Sequence, residues 1–299
     1  MRQDRPTGLL VPITTPFDPA SGDVAPVSLR ENGRAILDAG ANGLVAAGST
    51  GEASLLSEVE FRQVVVWLRD VVPDDRWLIA GTGRESTRGT VAACEAAAEE
   101  GADAVLVRSP AYYAPVFTTQ GLTDHFRRVA DESPVPVLLY NFPKLTHTPI
   151  SEAIAAGLAS HENIWGIKDS TGDLKNFAMY QEVAPEWSLL MGSGALYYAA
   201  LEMGAAGAIA AVACFAAAAA ASIGEAFAAG DRTAAGAAQE LVAPLHTEIV
   251  AKRGVPGIKA AMELVGLAGG PVRSPLADLD SRDRERLAAL LQQADLTPR

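Results

Sequence analysis

The sequence predicts an α/β protein, a (β/α)₈ barrel carrying a C-terminal helical extension. Eight short apolar runs alternate with longer helical patterns, the count that closes a parallel barrel. Most of these runs are continuous rather than alternating, as strands covered on both faces read. The length of 299 residues suits one barrel plus an addition, or two ordinary domains. A doubly wound open sheet is the competing architecture, and it normally uses fewer strands.

The expected strands are Leu9–Ile13, Gly43–Ala47, Trp77–Ala80, Ala104–Val107, Val137–Tyr140, Ile164–Lys168, Ser188–Met191 and Ala208–Val212. Between them lie the helices. The first runs from about Val27 to Ala39 and stops at Gly40. The second begins at Ser57, with Glu60 three residues on, a capping box ahead of an amphipathic run to Val71. The third spans about Ser86 to Glu100 and stops at Gly101, a C′ glycine. Others lie near Thr119–Ala130, Ser151–Leu158, Asp173–Val183, Leu196–Met203 and Phe215–Ala229. Helical segments near Thr233–Ala251, Gly257–Val265 and Asp283–Leu291 form the extension. We expect residues 1–230 to build the barrel and 231–299 to pack on it, since no Pro-, Ser- or charge-rich linker separates them.

Composition narrows the function. Hydrophobic residues make up 49% and charged residues 20%, and the net charge is −12. A nucleic-acid binder needs a basic face, and no Lys/Arg cluster of that kind is present. Cys94 and Cys214 form no C-x-x-C pair, and the histidines at 125, 147, 161 and 246 have no zinc spacing. No metal site is expected. Gly204–Ile223 holds no charged residue and is long enough to span a bilayer. Its Ala and Gly supply little apolar surface, however, and it divides into a strand and an Ala-rich helix. With no signal-peptide core in MRQDRPTGLL, the expectation is a soluble cytoplasmic protein that does not engage a membrane.

In a barrel of this kind chemistry sits at the C-terminal ends of the strands. Of the five lysines, only Lys168 ends an apolar strand. Lys144, Lys175, Lys252 and Lys259 fall in loops or on helices, where a solvated charge needs no explanation. Burial disfavours the charged form of an amine, and a neutral amine attacks a ketone to form an imine. Position alone leaves two readings open: an imine-forming nucleophile, or a lysine that reaches solvent or pairs with Asp169. Tyr140 ends the adjacent strand and favours the first, because a phenol there can move the protons of carbinolamine formation and C–C cleavage. Ser49 and Thr50 sit in a glycine-flanked turn suited to a carboxylate, although a lone G-S-T-G is also an ordinary βα turn. Glu52 reads as fixing that loop or the next helix rather than as a base. Arg84 and Arg108 are possible anion contacts with simpler surface explanations.

Together, Gly48-Ser-Thr-Gly-Glu52, Tyr140-Asn-Phe-Pro143 and Gly166-Ile-Lys-Asp-Ser-Thr-Gly-Asp173 resemble the dihydrodipicolinate synthase / N-acetylneuraminate lyase family in order and spacing, over about Thr7 to Leu279. The resemblance implies a TIM barrel, no metal and no organic cofactor, and a homotetramer built as a dimer of dimers. It implies that Lys168 is the Schiff-base lysine and Tyr140 the acid/base tyrosine. Ser49 and Thr50 would bind the pyruvate carboxylate, Ile209 would lie beside the bound pyruvate, and Tyr112 would reach a neighbouring subunit's site. Ser170 and Leu145 complete the expected substrate contacts. Two departures bear on substrate. Leu145 stands where lysine-pathway synthases carry an arginine for the aldehyde's carboxylate. Gly192-Ser-Gly-Ala195 lacks the acids with which sialic-acid lyases hold the sugar tail. The Pro110-Ala-Tyr-Tyr113, Lys168-Asp-Ser170 and Gly269–Pro275 stretches look most like 4-hydroxy-2-oxoglutarate aldolases. The expected partners are thus a small 2-oxo acid and an aldehyde, in a class I aldolase that forms or uses pyruvate. The rivals are 4-hydroxy-tetrahydrodipicolinate synthase, a sugar-acid dehydratase, and a non-catalytic oxo-acid-binding barrel.

Overall fold

The computed structural model describes residues 4–297. Eight parallel strands close a barrel in sequential order: β1 (Gly8–Pro12), β2 (Gly43–Ala46), β3 (Trp77–Gly81), β4 (Ala104–Arg108), β5 (Val137–Asn141), β6 (Ile164–Asp169), β7 (Ser188–Met191) and β8 (Gly207–Ile209). β8 pairs back onto β1, with Leu9 opposite Ala208 and Leu10 opposite Ile209, so no strand edge is left open. Helices α1 (Pro26–Asp38), α2 (Glu58–Arg69), α3 (Thr87–Glu99) and α4 (Thr119–Glu132) follow the first four strands. A one-turn helix α5 (Pro143–Thr146) and α6 (Glu152–Leu158) follow β5. Then come α7 (Leu174–Val183), α8 (Tyr197–Glu202) and α9 (Ala217–Ala228), and finally α10 (Arg232–Leu245), α11 (Lys252–Leu264) and α12 (Ser281–Gln293).

Sequence signals set most of these boundaries. Ser57 caps α2 as expected: its hydroxyl accepts the Glu60 N–H at 3.2 Å, and its own N–H donates to Glu60 Oε2 at 2.8 Å. Gly40 and Gly101 end α1 and α3 at φ of +102° and +89°, a region open to glycine at little cost. Two expectations need correcting. The last strand stops at Ile209, and Ala211–Cys214 turn into a 3₁₀ helix. The helix expected to run unbroken to Ala251 holds Pro244, which has no N–H to give the ladder, and from His246 to Ala251 the backbone adopts a π-helical turn. No helix among the described residues is long and apolar enough to cross a membrane.

The strands separate two cores. Leu10, Val45, Ile79, Leu106, Leu138 and Leu190 fill the barrel interior, whereas Leu9, Val11, Leu44, Leu78, Val105 and Leu139 pack outward against the helices. That is the period-two alternation of a strand. β6 needs one adjustment to obey it. Val137 pairs with Ile164, but Leu138 pairs with Gly166, so Trp165 is an extra residue. This bulge resets the alternation: Ile164 packs in the outer core, while Gly166 and Lys168 stand level with the inward Leu138 and Tyr140. A Cβ at Gly166 would run into the Ser188 carbonyl of β7.

Candidate active site

Lys168 is the penultimate residue of β6, which runs one residue beyond the end expected from sequence, and its side chain is buried, with the residue 5% exposed. Its Cα is registered against that of Tyr140 on β5, and its Nζ lies 4.2 Å from the centroid of the Tyr140 ring. An ammonium or an iminium at that place rests on the negative face of the ring. The ring is buried and stacks on Phe142, with centroids 5.8 Å apart. Among the described residues no carboxylate comes within ion-pair reach of Lys168.

The alternative pairing of Lys168 with Asp169 is not what the fold builds. Successive strand residues face opposite ways, and the Asp169 carboxylate is buried on the other face. It accepts from Asn141 Nδ2 at 2.7 Å and from the Thr171 hydroxyl. Asn141 Oδ1 in turn accepts the Ile150 N–H at 3.0 Å. Asp169 therefore ties the turns after β5 and β6 together, and burial raises its pKa above the ordinary carboxylate range against the pull of Thr171 and Asn141.

Above Lys168 opens a cavity of about 810 Å³. It collects most of the residues singled out from sequence: Ser49 and Thr50 from the turn after β2, Tyr140, Lys168, Ser170, Ile209 and Leu145 all line it. The Ser49–Thr50 turn is tight. Gly51 N donates to Gly48 O at 3.0 Å, the Thr15 hydroxyl donates to Gly51 O at 2.7 Å, and Ala47 and Glu52 both hold positive φ, +46° and +57°. Such conformations on residues with side chains are held only by their surroundings and cluster at functional sites. Leu145 sits on α5 at the cavity rim, 55% exposed. A smaller neighbouring cavity of about 330 Å³ shares Ser49, Tyr140 and Leu145 and adds Glu85 and Arg108.

Tyr112 does not join these residues within the chain. It is 80% exposed, meets Tyr113 edge to face at 4.9 Å, and donates its N–H to Glu85 Oε2 at 2.8 Å. Neither arginine weighed from sequence is free. Arg84 makes two bonds to Glu58, at 2.8 and 2.9 Å, and lies over Phe61. Arg108 bonds Glu85 and the Ser109 carbonyl.

Two features escaped sequence reasoning. The first is Lys259, expected to be solvated on its helix. It is instead fully buried, with Nζ 2.5 Å from Glu52 Oε1, and it donates to the Pro271 carbonyl at 2.8 Å and stands over the Phe17 ring. Burial pushes its pKa below the ordinary lysine value against the opposing pull of Glu52. Glu52 Oε2 accepts the Arg273 N–H at 2.8 Å. The turn that carries Ser49 and Thr50 is thus fastened to α11. The available signal was that Lys259 is the only charged residue between Gly254 and Met262. The second is the cavity's far wall, supplied by His246, Thr247, Val250, Arg253 and Val255, which no inspection of strand ends would reach. Buried His246 accepts the Gly194 N–H at Nδ1, 3.2 Å away, and stands 3.2 Å from Ser193 Oγ through Nε2. A ring accepting at Nδ1 carries its hydrogen at Nε2, and burial holds its pKa down to about 4.

Comparison with known proteins gives a uniform picture. The model of the dihydrodipicolinate synthetase family matches residues 5–294. A Halobacterium salinarum protein described as an uncharacterized DapA-like lyase is 38% identical over 291 residues, 97% of this chain and 93% of that protein. The 4-hydroxy-tetrahydrodipicolinate synthase of Methanoculleus marisnigri is 35% identical, covering 95% of this chain and 98% of its own. Among solved structures, the chloride-inhibited dihydrodipicolinate synthase of Acinetobacter baumannii complexed with pyruvate superposes with a TM-score of 0.92 at 32% identity, over 97% of this chain and 99% of that one. A prophage protein of E. coli K12, of the dihydrodipicolinic acid synthase family and in complex with pyruvate, gives 0.91 at 29% identity, again over 97% and 99%.

Proposed function

The chain belongs to the dihydrodipicolinate synthetase family of lysine Schiff-base lyases, and from that premise we propose that it cleaves a 4-hydroxy-2-oxo acid to pyruvate and an aldehyde, with Lys168 as the nucleophile. The observation that carries the reading is the buried Lys168 amine, which meets no carboxylate among the described residues and lies over Tyr140 at the floor of a substrate-sized cavity.

The steps follow from the groups present. The neutral amine adds to the C2 ketone, and water leaves to give a protonated imine. Loss of the C4 hydroxyl proton then breaks the C3–C4 bond. The electron pair moves into the imine, leaving an enamine on Lys168 and releasing the aldehyde. Protonation at C3 and addition of water to the imine free pyruvate and the lysine. Tyr140, beside the amine, is placed to pass the protons. Ser49 and Thr50 hold the oxo acid's carboxylate, Ile209 packs beside it, and Ser170 lies at the mouth. Tyr112 acts in a neighbouring subunit's site in a tetramer that is a dimer of dimers.

The synthase reading shares the imine and differs in the aldehyde. Aspartate semialdehyde brings a carboxylate and an ammonium. Leu145 offers the carboxylate no charge-assisted contact, and no acid among the described lining residues of the main cavity meets the ammonium. The test is done on one preparation. Pyruvate plus borohydride leaves a single reduced adduct on Lys168 by mass spectrometry, and kcat/KM for cleavage of a 4-hydroxy-2-oxo acid exceeds that for condensation of pyruvate with aspartate semialdehyde. An adduct elsewhere overturns the mechanism; preference for the semialdehyde replaces the aldolase assignment with the synthase.

A further inference from the structure

The turn after β7 is held by residues from the C-terminal extension. Gly194 is gripped through both of its backbone groups: its N–H donates to His246 Nδ1 at 3.2 Å, and its carbonyl accepts from Gln239 Nε2 at 2.9 Å. Gln239 lies on α10, and His246 opens the π-helical turn that follows it. The fit admits no side chain at 194, where a Cβ would stand 2.5 Å from Val212 Cγ1. Isolated π-helical turns recur at functional sites, and this one brings His246 and Thr247 to the wall of the cavity above Lys168. Ser193, half-buried, lines the same cavity, with its Oγ 3.2 Å from His246 Nε2.

A serine beside a histidine can be a nucleophile beside its base. The hydrogen bonds here give the opposite arrangement. A base needs a bare Nε2 facing the hydroxyl. His246 Nδ1 already accepts the Gly194 N–H, so the neutral ring carries its hydrogen at Nε2. Burial keeps the ring neutral, with its pKa held down to about 4. Nε2 therefore donates to Ser193 Oγ. The serine cannot return its own hydrogen to the ring, and among the described residues no other acceptor takes it. Two other hydroxyls on the cavity wall are committed internally. Thr171 gives its hydrogen to the Asp169 carboxylate, and Thr247 gives its own to the Ala243 carbonyl at 3.0 Å.

We propose that His246 is a positioning residue that locks the Ser193 hydroxyl as a hydrogen-bond donor into the cavity, where Ser193 binds an acceptor oxygen of the substrate. The proposal rests on the reading of this cavity as the site of a 2-oxo acid. No bond to Ser193 is made or broken, and the imine chemistry stays with Lys168. The ring spans a backbone N–H and a side-chain hydroxyl at once, so the fold sets the donor's direction before substrate arrives. A contact ordered in advance costs less to make on binding.

The test is a double-mutant cycle on the intact enzyme. It reads kcat/KM for whichever of 4-hydroxy-2-oxoglutarate and 4-hydroxy-2-oxopentanoate is cleaved faster. Ser193→Ala loses roughly 3- to 10-fold, as removal of one neutral hydrogen bond implies. His246→Leu loses at least as much in the wild-type background and far less in Ser193→Ala, because the two residues act through one contact. His246→Gln, whose amide N–H reaches Ser193 in place of Nε2–H, retains most of the activity. An unchanged kcat/KM in Ser193→Ala, or an equal cost of His246→Leu with and without the serine hydroxyl, overturns the proposal. A second measurement does not depend on how the variants fold. A long-range proton–nitrogen correlation spectrum of histidine-labelled wild-type protein, with His246 assigned by its loss in His246→Gln, shows the hydrogen at Nε2 and a bare Nδ1. The reverse tautomer overturns the proposal. Borohydride trapping of pyruvate on Lys168 accompanies each protein. Wild-type enzyme that traps nothing, or cleaves neither acid, overturns the functional reading itself; trapping and cleavage with additive costs overturn only the roles of Ser193 and His246.

Discussion

Replacing Lys259 by Met keeps the length of the side chain and removes its charge. The Glu52 carboxylate, 1% exposed, then keeps the Arg273 N–H and loses the ammonium 2.5 Å from Oε1. Removing one partner of a buried pair costs about 3–5 kcal/mol, because the charge left behind is neither hydrated nor paired. For a chain of this size the entropy of unfolding converts that loss into a drop of roughly 5–8 °C in Tm. Glu52→Gln alone is also destabilising, since it strands the ammonium. The double variant has no stranded charge and recovers much of the loss, so its cost is well below the sum of the single costs. Activity supplies an independent readout. Glu52 ends the turn that bears Ser49 and Thr50, so KM for the oxo acid rises in the single variants more than kcat falls. The assay is thermal unfolding at one fixed scan rate, as barrels of this size often unfold irreversibly, with steady-state kinetics on the same samples. Additive costs around the cycle, or a Lys259→Met protein with wild-type Tm, would refute the reasoning.

Two further outcomes are expected. Tyr140→Phe retains the ring under the amine and loses the hydroxyl, so the fold survives and kcat falls by about 10²–10⁴; an unchanged kcat in the retro-aldol assay assigns the proton to another group. Stability declines between pH 6.5 and 5, because burial pushes His125 and His246 down to about 4 while the unfolded chain takes up these protons near 6.5. Each imidazole's contribution is complete above pH 6.5 and fades as pH falls toward 4, a loss of about 2 kcal/mol apiece by pH 5. Asp169, with its raised pKa, acts in the opposite sense. Tm measured over this range flattens in His246→Gln and His125→Gln, and a slope equal to wild type counts against the assignment.

The strands were legible because a parallel strand covered on both faces must be apolar along its whole length, and the runs from Gly43, Trp77, Ala104 and Ser188 show it. The placement of Lys168 beside Tyr140 was legible for a related reason: neighbouring strands in a barrel end at the same rim. What escaped was long-range or irregular. The bulge at Trp165 leaves no local signature, yet without it Lys168 would share a face with the outward Ile164. Lys259 was misread because a helical lysine is usually solvated. Here Gly257 through Met262 are buried all round, and the compensating charge comes from the turn after β2. The Pro244 irregularity was visible in the sequence and its π-helical outcome was not.

These particulars divide the site into two parts with different origins. The cavity floor is built from strand ends, where backbone pairing fixes Lys168 and Tyr140 to within a residue. The rest of the cavity is walled by α5 on one side and the segment around α11 on the other, where side chains can change without disturbing the barrel's hydrogen bonds. Leu145 and Arg253 stand on those two walls. The Lys259–Glu52 pair then has a reason beyond stability. It joins the turn that carries Ser49 and Thr50 to α11, which supplies part of the opposite wall of the same cavity, so the two walls are tied together.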